Sequence, residues 1–182
     1  MLLLPLIGHS TPEKAVLFEP TPMPIVRAML ALAQVGPPDV VYDLGSGDGR
    51  IPMTAAKDYG ARGVGVEIDP ARIAEARATA KKAGLADHVQ FIEGNMFEAD
   101  SSGATVVTLF LHPEPNRQLR PTLLAQLKPG ARIVSYIWDM GDWKPDAEQR
   151  LENRRRMYLW RVPERNSPVS AYASKPSRNS AQ

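Results

Sequence analysis

Val41-Tyr42-Asp43-Leu44-Gly45-Ser46-Gly47-Asp48-Gly49-Arg50 decides the fold of this chain. An apolar run from Val40 to Leu44 meets glycines at every second position, and a helix-compatible stretch follows from about Gly49 to Tyr59. Strand, tight turn and helix is the place where a doubly wound parallel sheet binds its ligand. Glycine lets the backbone turn tightly there and approach a ligand without a Cβ in the way. A dinucleotide fold reads G-x-G-x-x-G, with the pyrophosphate on the helix N-terminus. Here the third glycine comes one position early, and Asp43 and Asp48 flank the turn. Two carboxylates repel a pyrophosphate. They suit a ligand that carries an ammonium and a sulfonium and no phosphate, and S-adenosylmethionine is such a ligand.

Working outward, apolar runs alternate with helical patterns, the signature of βαβ units and a parallel sheet. Pro20-Thr-Pro-Met-Pro24 opens a helix to about Gln34, which stops at Gly36-Pro-Pro38. The second strand is Val64 to Ile68. A helix over 70–83 starts on Pro70 and ends before Gly84. The third strand is Val89 to Ile92. The fourth, Thr105 to Leu111, is a near-continuous apolar run expected of a strand buried on both faces. A helix from about Glu114 to Leu127 leads to a fifth strand, Arg132 to Trp138. Met157 to Val162 and Val169 to Ala173 read as a final antiparallel pair at the sheet edge. The expected organisation is a tail over 1–17, one Rossmann-like α/β domain over 18–175 with helices on both faces, and a disordered tail over 176–182. Residues 18–36 cover the cofactor.

Two further clusters complete a cofactor site. Glu67 closes the second strand about 20 residues past the glycine turn, where an acid can accept both ribose hydroxyl hydrogens. Ile68 would pack on the adenine. After the third strand, Asn95 could bond the adenine amino group and Met96 could cover the ring; Asn is equally a turn residue.

The bulk numbers frame the function. The chain has 182 residues, 43% apolar and 23% charged, in the range of one ordinary globular domain. No apolar run approaches the ~18 residues of a membrane span, and Met1 to Ile7 is too short for a signal-peptide core. A cytoplasmic location is expected, with a removed leader as the other option. Without cysteine there is neither disulfide nor thiolate chemistry. His9, His88 and His112 lack ligand spacing, and Asp139 with Asp142 is a weak pair, so no metal is expected. The net charge is +2, but from Lys144 onward nine Lys/Arg face four Asp/Glu. The basic segment, with Arg154-Arg155-Arg156, could meet an acidic protein or phosphate surface, or serve as an edge-strand device.

These residues together resemble class I methyltransferases: the glycine turn with Asp43, the strand-two acid Glu67 and the polar Asn95 fall in that family's order. The resemblance implies a seven-stranded sheet with a reversed last hairpin and S-adenosylmethionine as donor. A narrower likeness rests on Phe18-Glu-Pro-Thr21-Pro22 and on Val107-Thr-Leu-Phe-Leu111-x-Pro113. Both are similar to a group of protein-lysine methyltransferases that includes the one acting on the ATP synthase c-subunit, with archaeal and bacterial relatives. That likeness implies that Thr21 bonds the cofactor's carboxylate and that Phe18 borders the methyl channel. Ser46 and Leu111 complete the expected cofactor contacts. Relatives often carry Tyr where this chain has Phe18. From the residues alone, Thr21 reads as a helix N-cap before Pro22.

Methyl transfer from a sulfonium is an in-line displacement, so alignment and exclusion of water are the main tasks. A lysine acceptor must react neutral, and desolvation lowers its pKa without a dedicated base. After the fourth strand, where residues usually face the acceptor, stands Phe110-Leu-His112-Pro-Glu114-Pro-Asn116, without the Asn/Asp-Pro-Pro-aromatic run of base-modifying amino-methyltransferases, which makes a nucleic-acid substrate an unfavoured reading. His112 and Glu114 could act as a base pair for an oxygen nucleophile. Tyr136, Trp138, Asp139, Asp142 and Trp143 form an aromatic and acidic cluster able to attract a cation, or packing around a loop. The acceptor is a protein lysine or, alternatively, a small molecule with an N or O nucleophile; the oligomeric state is not legible.

Overall fold

The structure, a computed structural model, describes residues 19–152 and 154–165. A seven-stranded sheet runs in the order β3-β2-β1-β4-β5-β7-β6. The strands are β1 Val40–Leu44, β2 Arg62–Glu67, β3 Val89–Glu93, β4 Val106–Leu109, β5 Arg132–Tyr136, β6 Ala147–Arg150 and β7 Arg156–Arg161. β1 to β5 are mutually parallel, while β7 is antiparallel to β5 and to β6. The helices are α1 Met23–Leu32, α2 Arg50–Tyr59, α3 Pro70–Lys82 and α4 Pro113–Gln126.

The expected α/β sheet with a reversed last hairpin is present, but its hairpin is built differently. β7 pairs with β6, which precedes it, whereas Val169 to Ala173 lie outside the described residues, as does Phe18. β6 escapes periodicity because Glu148, Gln149 and Arg150 are all exposed. It is a polar edge strand, the kind of edge that resists pairing with other chains. The arginine run is therefore not an edge device: it enters β7 one strand inside. β5 stops at Tyr136 rather than Trp138, because Ile137 turns to φ +74°.

Side chains alternate across the sheet as strand geometry demands. One face carries Val41, Val106, Val134 and Met157 against Val26, Met29, Leu30, Ile51 and Ala55 of α1 and α2. The other carries Leu44, Val107, Leu109, Ile133 and Trp160 against Leu119 and Leu123 of α4. At the amino end of the sheet, Asp39 holds Thr105 and Arg132, and Arg132 also reaches the Ala33 carbonyl at 2.7 Å. Burial opposes ionisation of Asp39, but bonds from Thr105, the Gly36 N–H and Arg132 outweigh it and hold the carboxyl below its usual range. The carboxyl end is left for the loops that carry the candidate site.

Candidate cofactor and acceptor site

Gly45, Gly47 and Gly49 take φ of 84°, 54° and 76°. This left-handed backbone favours glycine and explains the spacing. At Gly45 a Cβ would lie 3.2 Å from Leu111 Cδ2 and 3.9 Å from the Met96 sulfur. The loops after β1, β3 and β4 thus meet above the turn. The Gly45 and Ser46 amides donate to the Val66 carbonyl, each at 2.9 Å. Ser46 is buried, and its Oγ has no hydrogen-bond partner among the described residues.

Asp43 is 4% exposed, and Thr108 Oγ1 donates to its Oδ1 at 2.7 Å. Burial pushes the Asp43 carboxyl up to about 7; the Thr108 bond opposes this, and the charges of Asp48 and Glu67 add to it. Thr108 has no role of its own in the sequence pattern, although it is the polar break in an apolar strand and lies in register with Asp43. Arg50 is a second residue whose role the sequence conceals. Its Nε and Nη2 donate to the Asp48 carboxylate, at 2.9 Å and 2.5 Å, and Nη1 donates to the Thr21 carbonyl at 2.9 Å. The two acids that flank the turn therefore differ: Asp48 is ion-paired, while Asp43 is buried without a cation among the described residues. Thr21 is itself buried beside this link, but the α1 N-cap is Pro22, not Thr21.

Glu67 receives the Gly47 N–H on Oε2 at 2.8 Å and the Ile68 and Asp69 N–H groups on Oε1 at 2.9 and 3.0 Å. A carboxylate has about four acceptor sites, so one remains, on Oε2, rather than the two that a pair of hydroxyls needs. Ile68 is 68% exposed, an apolar side chain at the mouth of the site. Asn95 Oδ1 accepts the Phe97 N–H at 3.0 Å, as a turn residue does, and keeps a second acceptor position.

On the acceptor side, the pairing of His112 with Glu114 does not form. Glu114 binds Arg117 at 2.5 Å, and the His112 ring lies 6.4 Å from that of Trp138. Tyr136 is buried, its ring is tilted against that of Phe110 with centroids 4.9 Å apart, and its hydroxyl accepts from Arg155 Nη1 at 3.0 Å. The aromatic and acidic cluster divides. Trp143 is core against Trp160, and Asp142 pairs with the buried Arg120, while Trp138 is 39% exposed. The last residue of the run after β4 controls this loop. Fully buried Asn116 donates to Ser135 Oγ, to the Trp138 carbonyl and to the Asp139 carbonyl at 3.1, 3.1 and 3.2 Å. Ser135 Oγ also donates to the Trp138 carbonyl, at 2.6 Å. Among the described residues no three His, Cys, Asp or Glu side chains gather as a metal site.

Comparison with known proteins adds the chemistry. The family model described as the ANTKMT methyltransferase domain matches residues 43–147. The chain is 47% identical over 137 residues to the protein-lysine N-methyltransferase of Saccharolobus islandicus, covering 75% of this chain and 85% of that protein. This chain belongs to the ANTKMT methyltransferase family. The enzyme is also 33% identical to the ATP synthase c-subunit lysine N-methyltransferase of Xenopus laevis, over 59% of its own length and 47% of that relative's. It thus spans about half of that longer protein. A solved structure of an RNA methyltransferase from Salinibacter ruber, in complex with S-adenosyl-L-homocysteine, is 55% identical, with a TM-score of 0.79 over 80% of this chain and 95% of that one. The enzyme is an S-adenosylmethionine-dependent methyltransferase. The site's own geometry fits that donor: a close-approach glycine turn, a buried carboxylate with no cation, an unpartnered buried hydroxyl and an exposed apolar side chain at the mouth.

Proposed function

We propose that the methyltransferase acts on lysine side chains of proteins. The donor supplies a methyl group activated on a sulfonium. Asp43 offers the buried negative charge that a cationic ligand compensates, and Ser46 Oγ has a free bonding position. Gly45 and Gly47 give the backbone close approach, and Gly49 opens α2. Glu67 has one acceptor position for a ribose hydroxyl. Ile68 and Met96 offer apolar cover to the adenine, with Asn95 and Leu111 at the rim. Thr21, tied to the turn through Arg50, would face the methionine end.

The acceptor reading is carried by one observation: the exposed Trp138 ring stands beside His112 with no preformed acid–base pair, since Glu114 is committed to Arg117. An oxygen nucleophile needs a base; an amine desolvated against aromatic surface does not. The π-face of Trp138 attracts the ammonium before it loses its proton, and the residues around it need only align the nitrogen and keep water out. The lysine-directed name of the 47% identical relative supports the same reading. The name of the Salinibacter protein favours RNA as a second reading, and a small N or O acceptor is the third.

Incubation with radiolabelled S-adenosylmethionine and a cell lysate, followed by mass spectrometry of the labelled fraction, separates them. Methyl-lysine in protein is expected. Label confined to RNA or to small molecules would overturn the lysine reading.

A further inference from the structure

The β6–β7 hairpin turns on the carboxyl side of the parallel strands, because β7 begins opposite the end of β5, with Met157 in register with Tyr136. Two bonds fasten it to the acceptor side: Ile137 N–H to the Arg156 carbonyl at 2.8 Å, and Arg155 Nη1 to the Tyr136 hydroxyl at 3.0 Å. At its tip Arg150 and Arg156 are direct cross-strand partners. Like charges in that relation cost stability unless a counter-charge joins them. Arg154, at φ +63°, completes a hollow of about 320 Å³ lined by Arg150, Leu151, Arg154 and Arg156. Arg156 is matched by Glu148 at 2.7 Å, whereas Arg150 and Arg154 have no ion pair among the described residues. Four arginines, 150 and 154–156, against Glu148 and Glu152 leave this tip at +2.

We propose that this hollow docks an acidic segment of the protein substrate, its Asp or Glu carboxylates held by Arg150 and Arg154 while a nearby lysine enters beside Trp138. The inference rests on the lysine reading above and deepens it. Guanidinium forks match carboxylates in a bidentate manner, and a hollow of this size holds one or two such groups. A nucleic-acid strand calls instead for a long cationic track with several stacking rings. Trp138 is the one exposed large aromatic side chain among the described residues.

The test uses the full chain with bound S-adenosylhomocysteine and three fluorescent probes: a peptide with a central lysine flanked by glutamates, the same peptide with glutamines, and a single-stranded oligouridine. Anisotropy at low salt should show the glutamate peptide bound about tenfold more tightly than the glutamine peptide. That is the order expected of a few partly exposed charge pairs, and it should fade at high salt. In Arg150→Glu/Arg154→Glu the difference should vanish while S-adenosylhomocysteine affinity and the melting temperature hold. The milder Arg150→Gln/Arg154→Gln pair should reduce it and guards against misfolding. Equal binding of the two peptides, or oligouridine bound more tightly than both, overturns the docking proposal. Labelling the same peptides distinguishes the two ideas. Methylation of both at equal rates, unaffected by either double variant, keeps the lysine reading and overturns docking. Arginine-dependent binding without any lysine methylation upholds the acidic site and overturns the lysine reading.

Discussion

Asp43→Asn should make the ligand-free enzyme more stable and the donor site worse. The Asp43 carboxyl is buried, with a pKa pushed up to about 7 from an ordinary 3.8. An acid whose pKa is raised on folding opposes folding wherever it must ionise. The penalty is absent below pH 3.8, grows through the interval and is complete above pH 7. A tenfold change in a proton equilibrium corresponds to about 1.4 kcal/mol, so the full penalty is roughly 4 kcal/mol. Asparagine keeps an acceptor for Thr108 and carries no charge. At pH 8 the variant should therefore melt roughly 8–16 °C above the wild type, at 2–4 °C per kcal/mol for a chain of this size, and the two should coincide near pH 4. Binding moves the other way. A cationic donor prefers the ionised carboxylate, so its association constant in the wild type should rise roughly fifteenfold between pH 5.5 and 7, as that form becomes populated. In the variant it should be lower and flat. Calorimetric titration with S-adenosylmethionine and melting curves across the same pH values read both effects. A wild-type affinity that ignores pH over that interval, or identical melts at pH 8, would refute the electrostatic account of the site.

Arg50→Ala should weaken donor binding by about 10–100-fold, since it frees Asp48 and unties Thr21; bonds to charged groups are each worth about 1.5–3 kcal/mol, and lysine, a single point charge, should not restore it in the same calorimetric assay. Asn116→Leu should cost about 2–3 kcal/mol in urea unfolding and speed amide exchange over 137–142, because the Asp139 carbonyl loses its buried donor and the Trp138 carbonyl keeps only Ser135 Oγ; unchanged exchange there would dispose of its proposed hold on the loop. Gly49→Ala should cost about 3 kcal/mol, its methyl meeting the Phe91 ring at 2.4 Å on a left-handed backbone. Gly84→Ala, also left-handed but in open space, should cost about 1 kcal/mol in the same denaturation series. Lowering the pH through the depressed range of Asp39 should progressively remove stability that is present above its ordinary pKa, and Asp39→Asn should flatten that acid limb of the melting profile.

The parallel half of the molecule is legible in the sequence because β1, β2 and β4 are buried on both faces and their apolar runs admit few other readings. The glycine turn is legible for a related reason: three positive-φ positions leave little choice of residue. The hairpin is not. Ala147–Arg150 becomes a strand only because β7 offers it a ladder, and no periodic pattern records that. Partnerships between charges are equally hidden: Arg50 looks like the first residue of a helix, and its grip on both Asp48 and Thr21 exists only once α1 folds over the turn. Asn116 reads as an ordinary helix-surface amide, yet α4 buries that position completely against β5 and the loop after it.

Ile137 carries one more consequence. A branched residue at φ +74° sits where few side chains are tolerated, and what keeps it there is a short clasp: Asn116 and Ser135 on one side, the Arg156 carbonyl on the other. The place of the Trp138 ring is thus tied to groups buried beneath it, and a substitution at Asn116 or Ser135 reaches the entrance through the backbone rather than through contact with the ring.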